Sequence, residues 1–104
     1  MTGREKILNL LGIAYRARKV LCGDFAVSAY VQKSKVPLLF LASDSGKDNR
    51  EKYRHWCAQK NITIIDIYTK EELGRAAGNK YHVVIGVTDA GLARAMRKER
   101  QAMV

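Results

Sequence analysis

The sequence predicts an α/β fold in which a sheet is covered by helices on both faces. Three observations carry that expectation. Helical and extended patterns alternate along the chain, the connections between them are short, and the apolar run Pro37–Ala42 lacks the alternation of a half-exposed strand. The 104 residues are one domain's worth of chain, and no linker, repeat or low-complexity stretch divides them, so residues 1–104 are expected to form a single domain.

Taken in order, residues 4–17 place Ile7, Leu8, Leu11, Ala14 and Tyr15 on one stripe of an amphipathic helix. Val20–Cys22 is a short extended piece closed by Gly23, and Asp24 then reads as the N-cap of a second helix reaching about Lys33. Phe25, Val27, Ala29, Tyr30 and Val31 spread apolar groups round most of that helix, so burial on more than one side is expected. Pro37–Ala42 reads as a central buried strand ending in the polar turn Ser43–Gly46.

Residues 47–60 return to helical spacing, with Tyr53, Trp56 and Cys57 on one face and Lys47 and Glu51 four apart on the other. After Asn61, Ile62–Ile67 is a β-branched strand. Thr69-Lys-Glu-Glu72 has the form of a capping box, opening a short helix that Gly78 can close. Tyr81–Val87 is the last strand, and Thr88-Asp89 starts a final helix towards Gln101. The order of strands in the sheet does not follow from periodicity.

Charge narrows the function. Nineteen Lys+Arg against ten Asp+Glu give a formal net charge of +9, which points to a polyanionic partner, nucleic acid above all. The longest apolar run falls far short of the ~20 residues of a membrane span. Met1–Lys6 leads straight into helical periodicity with no cleavable apolar stretch, so a cytoplasmic location is expected. Cys22 and Cys57 form no CxxC pair and have only His55 and His82 to help, so buried thiols are expected and no structural zinc or disulfide.

Catalytic patterns are thin. Neither GxxxxGK[ST] nor GxGxxG occurs, and the glycines of Gly74-Arg-Ala-Ala-Gly78 read as helix packing plus a C-cap. Ser43 and Ser45 beside Asp44 have no histidine close in sequence, and His55 reads as a partly exposed helix residue. Asp44 and Asp89 follow strands, where α/β sheets often carry ligand sites; they could hold Mg²⁺ or accept a phosphoryl group. Aspartates there are also the ordinary caps of the following helices, and that reading is preferred. No enzyme activity, metal or small-molecule cofactor is expected.

The cations are more informative. Arg16, Arg18 and Lys19 cluster between the first helix and the first strand, and Lys33 and Lys35 flank the end of the second helix. Asn79-Lys80-Tyr81-His82 mixes charge, an amide and stackable rings, a combination suited to RNA phosphates and splayed bases. Arg94, Arg97, Lys98 and Arg100 on the final helix are explained by its dipole. Lys47, Arg50, Lys52 and Arg54, interleaved with acids, read as a solvated face.

Four segments, in this order, cover nearly the whole chain: Leu11-Gly-Ile-Ala-Tyr-Arg-Ala-Arg-Lys19; Cys22-Gly23 opening a helix; Leu38-Leu-Phe-Leu-Ala-Ser-Asp44; and Glu72-Leu-Gly-Arg-Ala-Ala-Gly78 followed by a strand and Thr88-Asp89. Together they resemble the ribosomal L7Ae/L30e family, in particular its small bacterial L7Ae-like members. The resemblance implies a three-layer α/β/α sandwich around a four-stranded mixed sheet. It also implies RNA binding without catalysis, to kink-turns and related bent internal loops, with ribosomal RNA among the expected partners and a monomer as the expected state. By position it places the RNA junction at Gly23, Asp24, Phe25 and Ala26, and the closing loop at Lys80, Tyr81 and His82, with Lys33 further along the helix.

One departure from the family matters. Archaeal and eukaryotic kink-turn binders carry Asn, Glu and Lys where this chain has Phe25, Ala26 and Ala29, none of which can hydrogen-bond through its side chain. Each bidentate pairing with a base edge is worth about 1–3 kcal/mol of discrimination, and these side chains cannot supply it. Asp24 and the basic rim are the available substitutes. Phe25 could stack on a base or pack into the core, the commoner fate of a helix-start Phe. The main alternative function is a protein-interaction or accessory domain whose L7Ae-like surface no longer reads RNA specifically.

Overall fold

The computed structural model describes residues 1–33 and 36–103, so Lys35 lies outside the described residues. The elements alternate as α1 (Gly3–Arg16), β1 (Val20–Cys22), α2 (Asp24–Lys33), β2 (Leu38–Leu41), α3 (Lys47–Lys60), β3 (Thr63–Ile65), α4 (Lys70–Ala76), β4 (Val84–Val87) and α5 (Ala90–Gln101). The sheet has four strands in the order β1-β4-β2-β3. β4 runs antiparallel to both β1 and β2, whereas β2 and β3 are parallel, so the sheet is mixed.

Both faces of the sheet are covered. Ile7 and Leu11 of α1, Leu73 of α4 and Met96 of α5 pack with Leu38, Phe40 and Ile85 on one side. Val27 and Val31 of α2 with Tyr53 and Cys57 of α3 pack on Leu39, Leu41 and Val84 on the other. This is the α/β/α sandwich expected. β2 and β4 are buried at every position, which explains why Leu38–Leu41 shows no polar alternation.

Local signals hold at the helix starts. Thr69 and Glu72 form the expected capping box, and Thr2 and Glu5 form another on α1. The α4 box is also tied to α1: Arg4 donates to both carboxylate oxygens of Glu72 at 2.9 and 2.8 Å and to the Ile67 carbonyl at 3.0 Å. Asp89 caps α5 by accepting from the Leu92 N–H at 2.8 Å.

Several expectations need correction. α2 is not buried on more than one side: only Val27 and Val31 are buried, because the helix lies in an outer layer and meets the sheet along one line. Phe25 is 90% exposed and takes no part in the core. Asp24 is the first residue of α2, and its carboxylate points at α3.

Asp44 caps α4 through the Lys70 N–H at 2.9 Å; the helix that follows it, α3, starts after Gly46 with no side-chain cap. Tyr15 leaves the α1 core stripe and lies against Gly78. β4 begins at Val84, because residues 81–83 form a loop. Of the two free thiols Cys57 is buried, but Cys22 only half so.

Candidate nucleic-acid interface

The turn from β1 into α2 is made by Gly23, whose φ of +92° is unfavourable for any residue with a Cβ. Its N–H donates to the Val84 carbonyl and its own carbonyl accepts from the Val27 N–H, both at 3.0 Å. A Cβ here would meet nothing within 4 Å, so glycine is required by backbone conformation and the space in front of it is open.

The α4–β4 loop reaches the same place from the other side. Gly78, at φ +69°, reverses the chain, which then runs back along α4. The Asn79 N–H donates to the Gly74 carbonyl at 2.9 Å and the His82 N–H to the Lys70 carbonyl at 3.1 Å. Gly74 permits this return, since a Cβ there would stand 2.5 Å from the Lys80 carbonyl oxygen. A Cβ on Gly78 would lie 2.5 Å from the Tyr15 hydroxyl oxygen. The two glycines therefore serve packing and the helix end, as the sequence indicates.

The Gly23–Val84 hydrogen bond places the start of α2 and the loop at one end of the sheet. Asn79, Lys80 and Tyr81 are exposed there, Tyr81 at 56%. His82 is not: it is buried, with its Nε2 3.4 Å from the Ala77 carbonyl oxygen, so its ring is withdrawn from this surface. The Ala42 N–H donates to the Val83 carbonyl at 2.8 Å and brings Ser43 and Asp44 to the same end. The sequence alone does not assign these two to the surface; their only signal is a position after a strand.

Asp24 is engaged from behind. Its Oδ1 accepts from the Tyr53 hydroxyl at 2.5 Å and from Lys52 Nζ at 2.9 Å. The Tyr53 bond first, and then Lys52, hold its carboxyl below the usual aspartate range. Burial, and then the Asp24 carboxylate, push the Tyr53 hydroxyl far up. Lys52 also lies 5.0 and 5.5 Å from the Tyr53 and Trp56 ring centroids. What the junction offers outward is therefore Phe25, beside the half-buried Ala26.

The cations divide into two places. The Lys19 carbonyl accepts from the Thr88 N–H at 2.8 Å and Val20 pairs with Val87, so Lys19 lies at the opposite end of β1 from Gly23. That separation is about 13 Å at the rise of a β-strand. Arg18 makes the tight turn there at φ 59°, and Arg16, Arg18 and Lys19 are all exposed. Lys33, at the far end of α2, is about 14 Å from Asp24 at the helical rise. The single basic face expected from the sequence is thus a compact junction-and-loop patch with Lys80, plus a second cluster beyond the edge strand.

Among the described residues, Arg16, Arg18, Lys19, Lys33 and Lys80 form no ion pair, whereas Arg4, Lys47, Lys52, Arg54 and Arg75 all do. Arg97 donates to the Pro37 carbonyl at 2.9 Å, a structural role. Asp44 and Asp89 both accept from backbone N–H groups at helix starts. Among the described residues no cluster of His, Cys, Asp and Glu that could hold a metal converges. The surface has the means to neutralise phosphate and to stack on rings.

Comparison with known proteins is consistent with that chemistry. Residues 5–101 match the ribosomal protein L7Ae/L30e/S12e/Gadd45 family. An RNA-binding protein YlxQ of Bacillus subtilis is 32% identical over 93 residues, covering 89% of this chain and 92% of the relative. An RNA-binding protein YlxQ of Enterococcus faecium is 26% identical over 91 residues, covering 88% and 87%. Among solved structures, a Bacillus halodurans protein of unknown function superposes with a TM-score of 0.87 at 38% identity, covering 92% of this chain and 97% of that one. A 15.5kD RNA binding protein of Giardia lamblia gives 0.80 at 21% identity, covering 98% and 90%, a likeness of fold.

Proposed function

The chain belongs to the ribosomal protein L7Ae/L30e/S12e/Gadd45 family, and from that premise we propose that it binds structured RNA without catalysis. The observation that carries the reading is the end of the sheet around the Gly23–Val84 hydrogen bond. That end of the sheet carries an open glycine turn and two exposed aromatic residues, Phe25 and Tyr81, with Lys80, which forms no ion pair among the described residues, next to Tyr81 in the loop.

Bent internal loops, kink-turns among them, suit such a patch because they present splayed bases next to crowded phosphates. The loop sits over Gly23, Phe25 and Tyr81. One flanking arm follows the edge strand β1 towards Lys19, Arg18 and Arg16, where phosphates meet cations that form no ion pair among the described residues. Ribosomal RNA is the candidate source of such a loop, and the protein acts as a monomer in the cytoplasm. The two YlxQ relatives, described as RNA-binding proteins, support the RNA partner.

The test is a titration of a labelled RNA containing a bent internal loop, and of a fully paired duplex of equal length, at two ionic strengths. The loop RNA is expected to bind more tightly, and both affinities to fall steeply with salt as counterions are displaced. Equal and weak binding to both RNAs would overturn the specific reading. No salt-dependent binding to either would favour a protein-interaction domain instead.

A further inference from the structure

Phe25 is 90% exposed, on a helix whose inward line is Val27 and Val31. Two polar groups beside it are engaged within the protein. Asp24 Oδ1 accepts from Tyr53 and Lys52, and the Ser28 hydroxyl donates to the Phe25 carbonyl at 3.3 Å within the helix. Ala26 and Ala29 carry no side-chain donor or acceptor. The positions of Phe25, Ala26 and Ala29 therefore offer no side-chain group able to read a base edge.

We propose that Phe25, beside the Gly23–Val84 joint, is a stacking platform for an unpaired nucleobase, so that RNA is selected by the presence of unstacked bases more than by hydrogen bonds to base edges. The proposal rests on the RNA-binding reading above. Phe25 lies two residues beyond Gly23 and Tyr81 three residues before Val84, so the 3.0 Å Gly23–Val84 hydrogen bond brings both chain segments to the same end of the sheet. The Gly23 Cβ position is empty to 4 Å, which leaves the backbone of the turn next to Phe25 open to a sugar–phosphate chain.

The carboxylate nearest Phe25 is neutralised by Lys52, and Lys80 next to Tyr81 is unpaired. A phosphate entering beside Phe25 thus meets a carboxylate already paired with a cation. Every base has a π-face, so a site of this kind tolerates sequence while rejecting fully stacked duplex.

The experiment uses the intact protein and the loop RNA carrying 2-aminopurine at its unpaired position. Wild type is expected to change the 2-aminopurine fluorescence on binding. Phe25→Ala and Phe25→Leu are expected to abolish that change and to weaken binding about 5- to 150-fold, and Phe25→Trp to retain both. Removing the same base from the RNA should weaken wild-type binding but add little to Phe25→Ala, since each deletes one half of the same stacked pair. Because Phe25 is exposed, thermal melting is expected to be unchanged in all three variants.

If wild type binds the RNA while Phe25→Ala matches it in affinity and the fluorescence is silent, the stacking proposal is overturned and RNA binding stands. That same outcome would leave Phe25 free for a protein partner. If wild type binds neither the loop RNA nor the duplex, the reading it rests on falls, and the proposal with it.

Discussion

The Tyr53 hydroxyl donates a 2.5 Å hydrogen bond to Asp24 Oδ1, fastening α3 to the first residue of α2 where the chain leaves the sheet edge. Lys52 Nζ donates to the same oxygen at 2.9 Å. The β1–α2 junction is thereby braced from behind.

Tyr53→Phe tests the brace. It keeps the ring and its edge-on packing against Trp56, at 5.6 Å between centroids, and removes only the hydroxyl. With the carboxylate about half exposed, the expected destabilisation is about 1 kcal/mol at neutral pH by urea denaturation. The folded state holds the Asp24 pKa below its ordinary value near 3.8, so this stability is present above that pH and is lost as pH falls through the folded value. The gap between wild type and variant should therefore be constant from pH 7 to pH 5 and close in strong acid; a gap that persists there would assign it to packing.

Two glycines near the surface should fail for different reasons. Gly74→Ala puts a Cβ 2.5 Å from the Lys80 carbonyl oxygen and 2.8 Å from that of Asn79, so the loop must lift off α4. A cost of about 1–3 kcal/mol and weakened RNA binding are expected together. Gly23→Ala meets no atom, and its cost of about 1–2 kcal/mol comes from the positive φ alone. D-alanine at position 23 should restore that stability, whereas no alanine of either hand should rescue position 74.

Charge reversal separates the unpaired cations from the paired ones. Lys19→Glu with Lys80→Glu should weaken RNA binding and reduce the slope of log K against log salt by about one for each cation removed. Arg54→Gln, which removes a cation already paired with Asp66 at 3.0 Å, should leave both nearly unchanged. The check is fluorescence titration at several salt concentrations.

Thiol chemistry reports the packing of the opposite face. Burial pushes the Cys57 thiol up to about 11 and raises that of half-buried Cys22. At pH 8 Cys22 is expected to react with a maleimide first, and Cys57 only as fast as the fold opens. Denaturant should speed Cys57 far more than Cys22.

Much of the fold was legible because its signals are local. The bounds of β1 and α3, the Thr69–Glu72 capping box and the Asp89 cap all follow from side chains within a few residues. What local signals could not carry is where distant segments meet. Nothing near Tyr81 says that backbone bonds to Gly74 and Lys70 hold its loop out of the last strand. Hydrophobicity alone put Phe25 in the core, since it does not record which side of α2 faces the sheet. Lys19 and Gly23 are close in sequence, but a strand between them sets them at opposite ends of the sheet edge. The sequence therefore supplied the residues of the candidate surface but not their arrangement.

The proposed function requires that RNA be held at the sheet end built by the β1–α2 junction and the 79–82 loop. Amide chemical-shift mapping of the ¹⁵N-labelled protein during titration with the loop RNA tests it most directly. The largest changes are expected at Gly23, Asp24, Phe25, Ala26 and residues 79–81, with a second, salt-sensitive group at residues 16–19. Changes centred on the outer faces of α3 or α5, with the Gly23 and Tyr81 amides unmoved, would contradict it.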